Sequence, residues 1–132
     1  MKKDIPFPIV EGVFIAIARE DVDPPLWSVY LINSNNFPID NVFIRSRGYG
    51  SKDGLPQETS TLRHVFPIIE ATNFTKIEII DPSVFHLNNE YWLSYFVGTQ
   101  IYDKKFIFVP ETIIEQNLVD IPYISKKGIL HR

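Results

Sequence analysis

An all-β sandwich is predicted for this chain, from three features of the sequence. Short apolar runs with period-two alternation recur along most of its length, separated by proline, glycine and asparagine clusters. Ten Phe, six Tyr and two Trp bring the aromatic share to 14%, which suits pleated, half-buried surfaces. Ten prolines against a single Met argue against a helix bundle.

Residues 1–12 are proline-spaced and are expected to form an extended lead-in. Val13 to Ala18 (VFIAIA) alternates bulky and small side chains and predicts the first strand. The acidic, proline-broken run Glu20 to Pro25 must be a loop. Trp27 to Ile32 predicts a second strand, and Asn33-Ser34-Asn35-Asn36 a turn whose side chains can bond their own backbone. Asn41 to Ser46 reads as the third strand. Gly48 to Gln57 (GYGSKDGLPQ) reads as a glycine-rich surface loop, the longest in the chain. Thr59 to Phe66 and Phe74 to Ile80 predict two more strands, with Lys76 and Glu78 marking a wet face on the latter.

Tyr91 to Val109 (YWLSYFVGTQIYDKKFIFV) predicts a hairpin turning at Gly98-Thr99-Gln100. Both of its faces are apolar, where a half-buried strand needs only one. One face, with Tyr91, Leu93, Tyr95 and Val97, alternates with Trp92, Ser94 and Phe96; on the second strand Tyr102, Lys104, Phe106 and Phe108 oppose Ile101, Asp103, Lys105, Ile107 and Val109. One set should fill the core, and the other then needs a cover, because an exposed patch of that size marks an interface. Pro110 to Asn117 could form one or two helical turns. Val119 to Leu130 (VDIPYISKKGIL) is too apolar for a disordered tail and too proline-interrupted for a central strand. The expected organisation is therefore a lead-in (1–12), a sandwich of about seven strands (13–109) and a C-terminal arm (110–132) that packs on the sandwich or on a partner.

The net charge of −3, with basic residues only in scattered pairs, makes nucleic acid an unexpected partner. Cysteine is absent, so neither disulfides nor thiol chemistry enter. The N-terminus begins like a secretion signal, but Asp4, Pro6, Pro8 and Glu11 interrupt its apolar stretch, and no run reaches the length of a membrane span. A cytoplasmic protein with no membrane attachment is expected.

Few motifs point to chemistry. The glycines from Gly48 to Gly54 lack the following helix that a phosphate cradle needs. His64, His86 and His131 share no metal-ligand spacing, and no nucleophile motif is present, so neither metal nor cofactor is expected. The polar site that remains is Arg63 with His64, beside the Gly48 to Gln57 loop and a carboxylate such as Glu58 or Glu70.

Tyr30-Leu31-Ile32-Asn33, a polar turn and then Asn41-Val42 resemble the strand–turn–strand passages of immunoglobulin-like and fibronectin-III-like bacterial modules. Nearly the whole chain is similar to a small bacterial all-β family. The likeness lies in Tyr30 to Asn33, Gly48-Tyr49-Gly50, Thr61 to His64, Asn88 to Trp92, Ile101 to Phe106 and Lys126-Lys127-Gly128. Some members are linked by name to the phenylalanyl-tRNA synthetase alpha subunit. The resemblance implies an immunoglobulin-like antiparallel sandwich and an RNA-associated accessory role, but no catalytic residues. A class II synthetase core, with its ATP-binding arginine motif, would need far more chain than 132 residues.

The leading expectation is a non-catalytic protein-interaction module that self-associates as a homo-oligomer through the 91–109 sheet and the terminal arms. Its surface is expected to draw on Tyr91, Trp92, Tyr95, Phe96, Tyr102, Phe106, Ile121 and Tyr123. The alternative is a small-ligand or enzymatic site near residues 48–57 with Arg63 and His64.

Overall fold

In the computed structural model, which describes residues 8–132, ten strands form two antiparallel five-stranded sheets packed as a sandwich. The strands are β1 (Val13–Arg19), β2 (Trp27–Asn33), β3 (Ile39–Lys52), β4 (Leu55–Glu58), β5 (Leu62–Ile69), β6 (Asn73–Ile80), β7 (Asn88–Val97), β8 (Gln100–Phe108), β9 (Val119–Ile121) and β10 (Lys126–His131). The first sheet runs β6-β2-β1-β10-β9. In the second, β3 lies between β7 and an edge formed by β5 and β4, with β8 beyond β7. The part of the expected lead-in up to Phe7 lies outside the described residues.

Period-two alternation builds the core. Val13, Ile15 and Ile17 of β1, Val29 and Leu31 of β2 and Ile129 of β10 face Val42 and Ile44 of β3, Tyr91, Leu93 and Tyr95 of β7, and Phe106 and Phe108 of β8. Each is almost fully removed from water, at roughly 1.5–3 kcal/mol for a large side chain. At one end of the sandwich Asn33, itself buried, ties two turns together. Its amide donates to the carbonyls of Phe37, Ile69 and Glu70, and its oxygen accepts from Asn35.

Several sequence expectations change. The strand count is ten rather than about seven because the 48–57 loop and the C-terminal arm supply β4, β9 and β10. The Gly48 to Gln57 loop is largely a hairpin: β3 runs on to Lys52 and turns at Asp53-Gly54, both with positive φ, into β4. That is the backbone a two-residue hairpin turn requires. Residues 119–131, expected as an arm outside the sandwich, supply β9 and β10, and β10 pairs with β1 on one side and β9 on the other. Pro122 does not interrupt this pairing because it sits in the turn between the two strands. Gly128 lets β10 come close: a Cβ there would lie 2.4 Å from the Ile17 carbonyl oxygen. Between Pro110 and Asn117 only a single 3₁₀ turn forms, at Glu115–Asn117.

The expected wet face of β6 also changes. Lys76 pairs with Tyr30 and Glu78 with Val29, which leaves Ile77 as an extra residue. This bulge turns Glu78 inward while Lys76 stays outside.

Candidate functional site

Four strands of the second sheet, β5-β3-β7-β8, present one outer face, and their register sets its rows. Arg63, Arg45, Trp92 and Lys105 lie side by side across the strands. The next row holds Val65, Phe43, Ser94 and Asp103, and the one beyond it Ile68, Asp40, Phe96 and Ile101. Phe43, Val65, Ile68 and Ile101 are 38–69% exposed, although each lies on a regular strand.

Trp92 is held from both flanking strands. The Arg45 guanidinium sits 4.9 Å and the Lys105 ammonium 4.8 Å from the ring, in the range of cation–π attraction. The indole N–H donates to Asp103, which also accepts from Ser94 at 3.0 Å. Phe43, Arg45, Trp92, Ser94 and Asp103 line a shallow cavity of about 200 Å³. One step along the face, Arg45, Arg47, Thr61 and Arg63 line a second cavity of similar size. Arg47 lies over Tyr49 and reaches Glu90 at 3.5 Å; Glu90 is 3% exposed and also lies 3.9 Å from Lys105.

A different polar group sits between the sheets. Glu78, turned inward by the bulge, accepts from His64 Nε2 at 2.7 Å and from Ser46 Oγ at 2.9 Å, with the Tyr91 hydroxyl 3.4 Å away. Burial, and after it the Glu78 charge, push the Tyr91 phenol well above its ordinary range. A crevice of about 280 Å³ opens beside this group, lined by Ser46, Gly48, Thr59, Glu78 and Tyr91 among others. His64 and Ser46 both bond Glu78 rather than each other, so the imidazole is not hydrogen-bonded to the hydroxyl.

The residues singled out from the sequence separate into several places. Tyr91, Tyr95, Phe106 and Ile121 are buried, at 0–3% exposure. Tyr102 stacks on Tyr95, with ring centres 5.1 Å apart, at the edge of the core. Trp92 and Phe96 lie on the outer face, and Tyr123 is exposed in the turn between β9 and β10. Arg63 and His64 point to opposite sides of β5, so they do not form one site, and the carboxylate partner of His64 is Glu78 rather than Glu58 or Glu70. Sequence reasoning missed Arg45, Arg47 and Phe43. The alternation in Val42-Phe43-Ile44-Arg45-Ser46-Arg47 already puts those three on one face.

No group of three or more His, Asp or Glu side chains gathers as metal ligands among the described residues. No helix among them is long and apolar enough to cross a membrane. No family model, curated protein or solved structure matches this chain.

Proposed function

We propose that the protein is a non-catalytic binding module of the immunoglobulin-like kind, whose working surface is the outer face of β5-β3-β7-β8 and whose partner is an acidic protein. One observation carries this reading: Phe43 and Val65 stand side by side in solvent, and in the next row Ile68 and Ile101 are exposed on either side of Asp40 and Phe96. Contiguous exposed apolar surface of this sort marks an interaction site. Beside it, Arg45, Arg47, Arg63 and Lys105 outnumber the carboxylates of Asp40, Glu90 and Asp103 by one charge, on a chain whose net charge is −3. Such local complementarity selects an acidic partner and steers its approach.

A second copy of the chain is the less favoured partner. A two-fold contact through this face would press its excess positive charge against itself. The sheet edges also carry features that oppose edge pairing: Pro67 on β5, Lys104 and Lys105 on β8, the bulge on β6, and the shortness of β9. An RNA-associated role has less support, because Arg45 and Lys105 already occupy the Trp92 ring that would stack a base.

Affinity capture from lysate of the source cells tests the reading, comparing wild type with Phe43→Glu/Val65→Glu and with Tyr123→Glu as control. The expected result is one acidic protein held by wild type and Tyr123→Glu and lost by the double variant, with wild type monomeric by light scattering. Capture unaffected by the double variant would refute the assignment. A wild-type dimer dissociated by it would replace the acidic partner with a second copy.

A further inference from the structure

We infer that Arg45, Arg47, Arg63 and Thr61 form a binding site for a phosphoryl dianion. The inference rests on the outer face being the working surface, and it names the group that surface recognises.

The sequence brings these cations together in two ways. Alternation along β3 sets Arg45 and Arg47 on the same side, and the β3–β5 register places Arg63 directly opposite Arg45. Like charges opposite one another on a sheet destabilise it. Among the described residues no carboxylate forms an ion pair with Arg45 or Arg63; Glu90, beside Arg47 and Lys105, is the acid held in this group. Arg45 and Arg63 are therefore two facing cations with no carboxylate between them, and the two charges of a phosphate monoester near neutral pH match them.

The guanidiniums are also held in place before anything binds. Arg45 is stacked on Trp92, while Arg47 is stacked on Tyr49 and bonded to Glu90. Planar guanidinium forks suit the paired oxygens of a phosphoryl group, and the Thr61 hydroxyl adds a donor at the rim of a cavity of about 200 Å³. The adjoining cavity shares Arg45 but contains Asp103 and the aromatic rings of Phe43 and Trp92. An anion is thus directed to the arginines, and whatever carries it extends into the adjoining cavity beside Phe43 and the rim of Trp92. The phosphoryl group could belong to an ester on the partner protein or to free phosphate.

NMR titration of the full chain decides this, reading the arginine Nε–H signals, the Thr61 amide and the Trp92 indole. Inorganic phosphate, phenyl phosphate and acetate are compared at one ionic strength. Phosphate should shift the Arg45, Arg47, Arg63 and Thr61 signals saturably, and acetate should bind at least about tenfold more weakly. Arg63→Ala should weaken phosphate at least about tenfold while leaving the phosphate-free melting temperature unchanged or higher, because it removes the facing like charge. Phenyl phosphate that binds more tightly and moves Trp92 would identify an ester as the source, and equal binding would identify the free ion. Acetate binding as well as phosphate, or Arg63→Ala binding as well as wild type, would overturn the site. No partner is present in this titration, so it can fail while capture through Phe43 succeeds, and the reverse.

Discussion

On the outer side of β6-β2-β1-β10-β9, Ala16, Ala18, Tyr30 and Ile32 pack with Ile121 and Ile124 into a second buried cluster, flanked by Phe14 and Leu130. On the outer side of β5-β3-β7-β8 no such cluster forms among the described residues, and Phe43, Val65, Ile68 and Ile101 stand exposed. Both faces are rich in apolar side chains, so composition does not distinguish them. The difference is that on the first Ile121 of β9 and Ile124 of the β9–β10 turn complete a buried cluster. Glu20 then clamps that closed face: it accepts from the Tyr30 hydroxyl at 2.7 Å and pairs with Lys76 at 3.0 Å and Lys126 at 3.2 Å. The comparison teaches that apolar outer positions in a sandwich have two fates. They are buried by a local segment, or they stay exposed to solvent.

The contrast can be broken most forcefully at the closed face. Gly128→Ala would drive a Cβ against the β1 backbone, and we expect a loss of about 3 kcal/mol or more in urea unfolding. An unchanged midpoint would show that β10 does not pack as closely as described. Ile32→Ala, at a fully buried site of the same face, should cost about 3 kcal/mol with the usual spread of core truncations.

The clamp comes next. Burial alone would raise the Glu20 carboxyl, but hydrogen bonds led by Tyr30, with Lys76 and Lys126, outweigh it and hold the group at about 2, below its ordinary 4.5. A depressed carboxylate stabilises the fold above its unfolded pKa and loses that contribution as pH falls through the folded one. Glu20→Gln should therefore cost about 1–2 kcal/mol near neutrality. The gap to wild type should close as pH falls from 4.5 towards 2, read from urea midpoints across that range. A gap that persists at the acid end would show that packing, not charge, is what the substitution removes.

Much of this arrangement was legible in the sequence. Strands β1, β2 and β6 and the turn at Gly98 follow from alternation and turn chemistry. The division of the Tyr91 to Val109 hairpin into two faces follows from the same period, with Tyr91, Leu93, Tyr95, Phe106 and Phe108 taking the core side. Asp53-Gly54 was also a readable hairpin signal, masked by the glycines before it. Other features need the third dimension. Pro122 looks like a strand breaker until it is known to occupy a turn, and the bulge that turns Glu78 inward has no sequence marker. The candidate site was hidden for a similar reason: Arg45 and Arg63 belong to different strands, and only the register makes them neighbours.

The smallest expected effect gives the most direct test. Val65→Thr preserves shape and strand preference but places a hydroxyl at a site that is 69% exposed. If the outer face of β5-β3-β7-β8 is open to solvent and free for a partner, the urea midpoint of the isolated protein should correspond to a loss below about 0.5 kcal/mol. A loss above about 1.5 kcal/mol, the size expected when an unpartnered hydroxyl is buried, would mean that the chain covers this face as it covers the other, and would contradict the account.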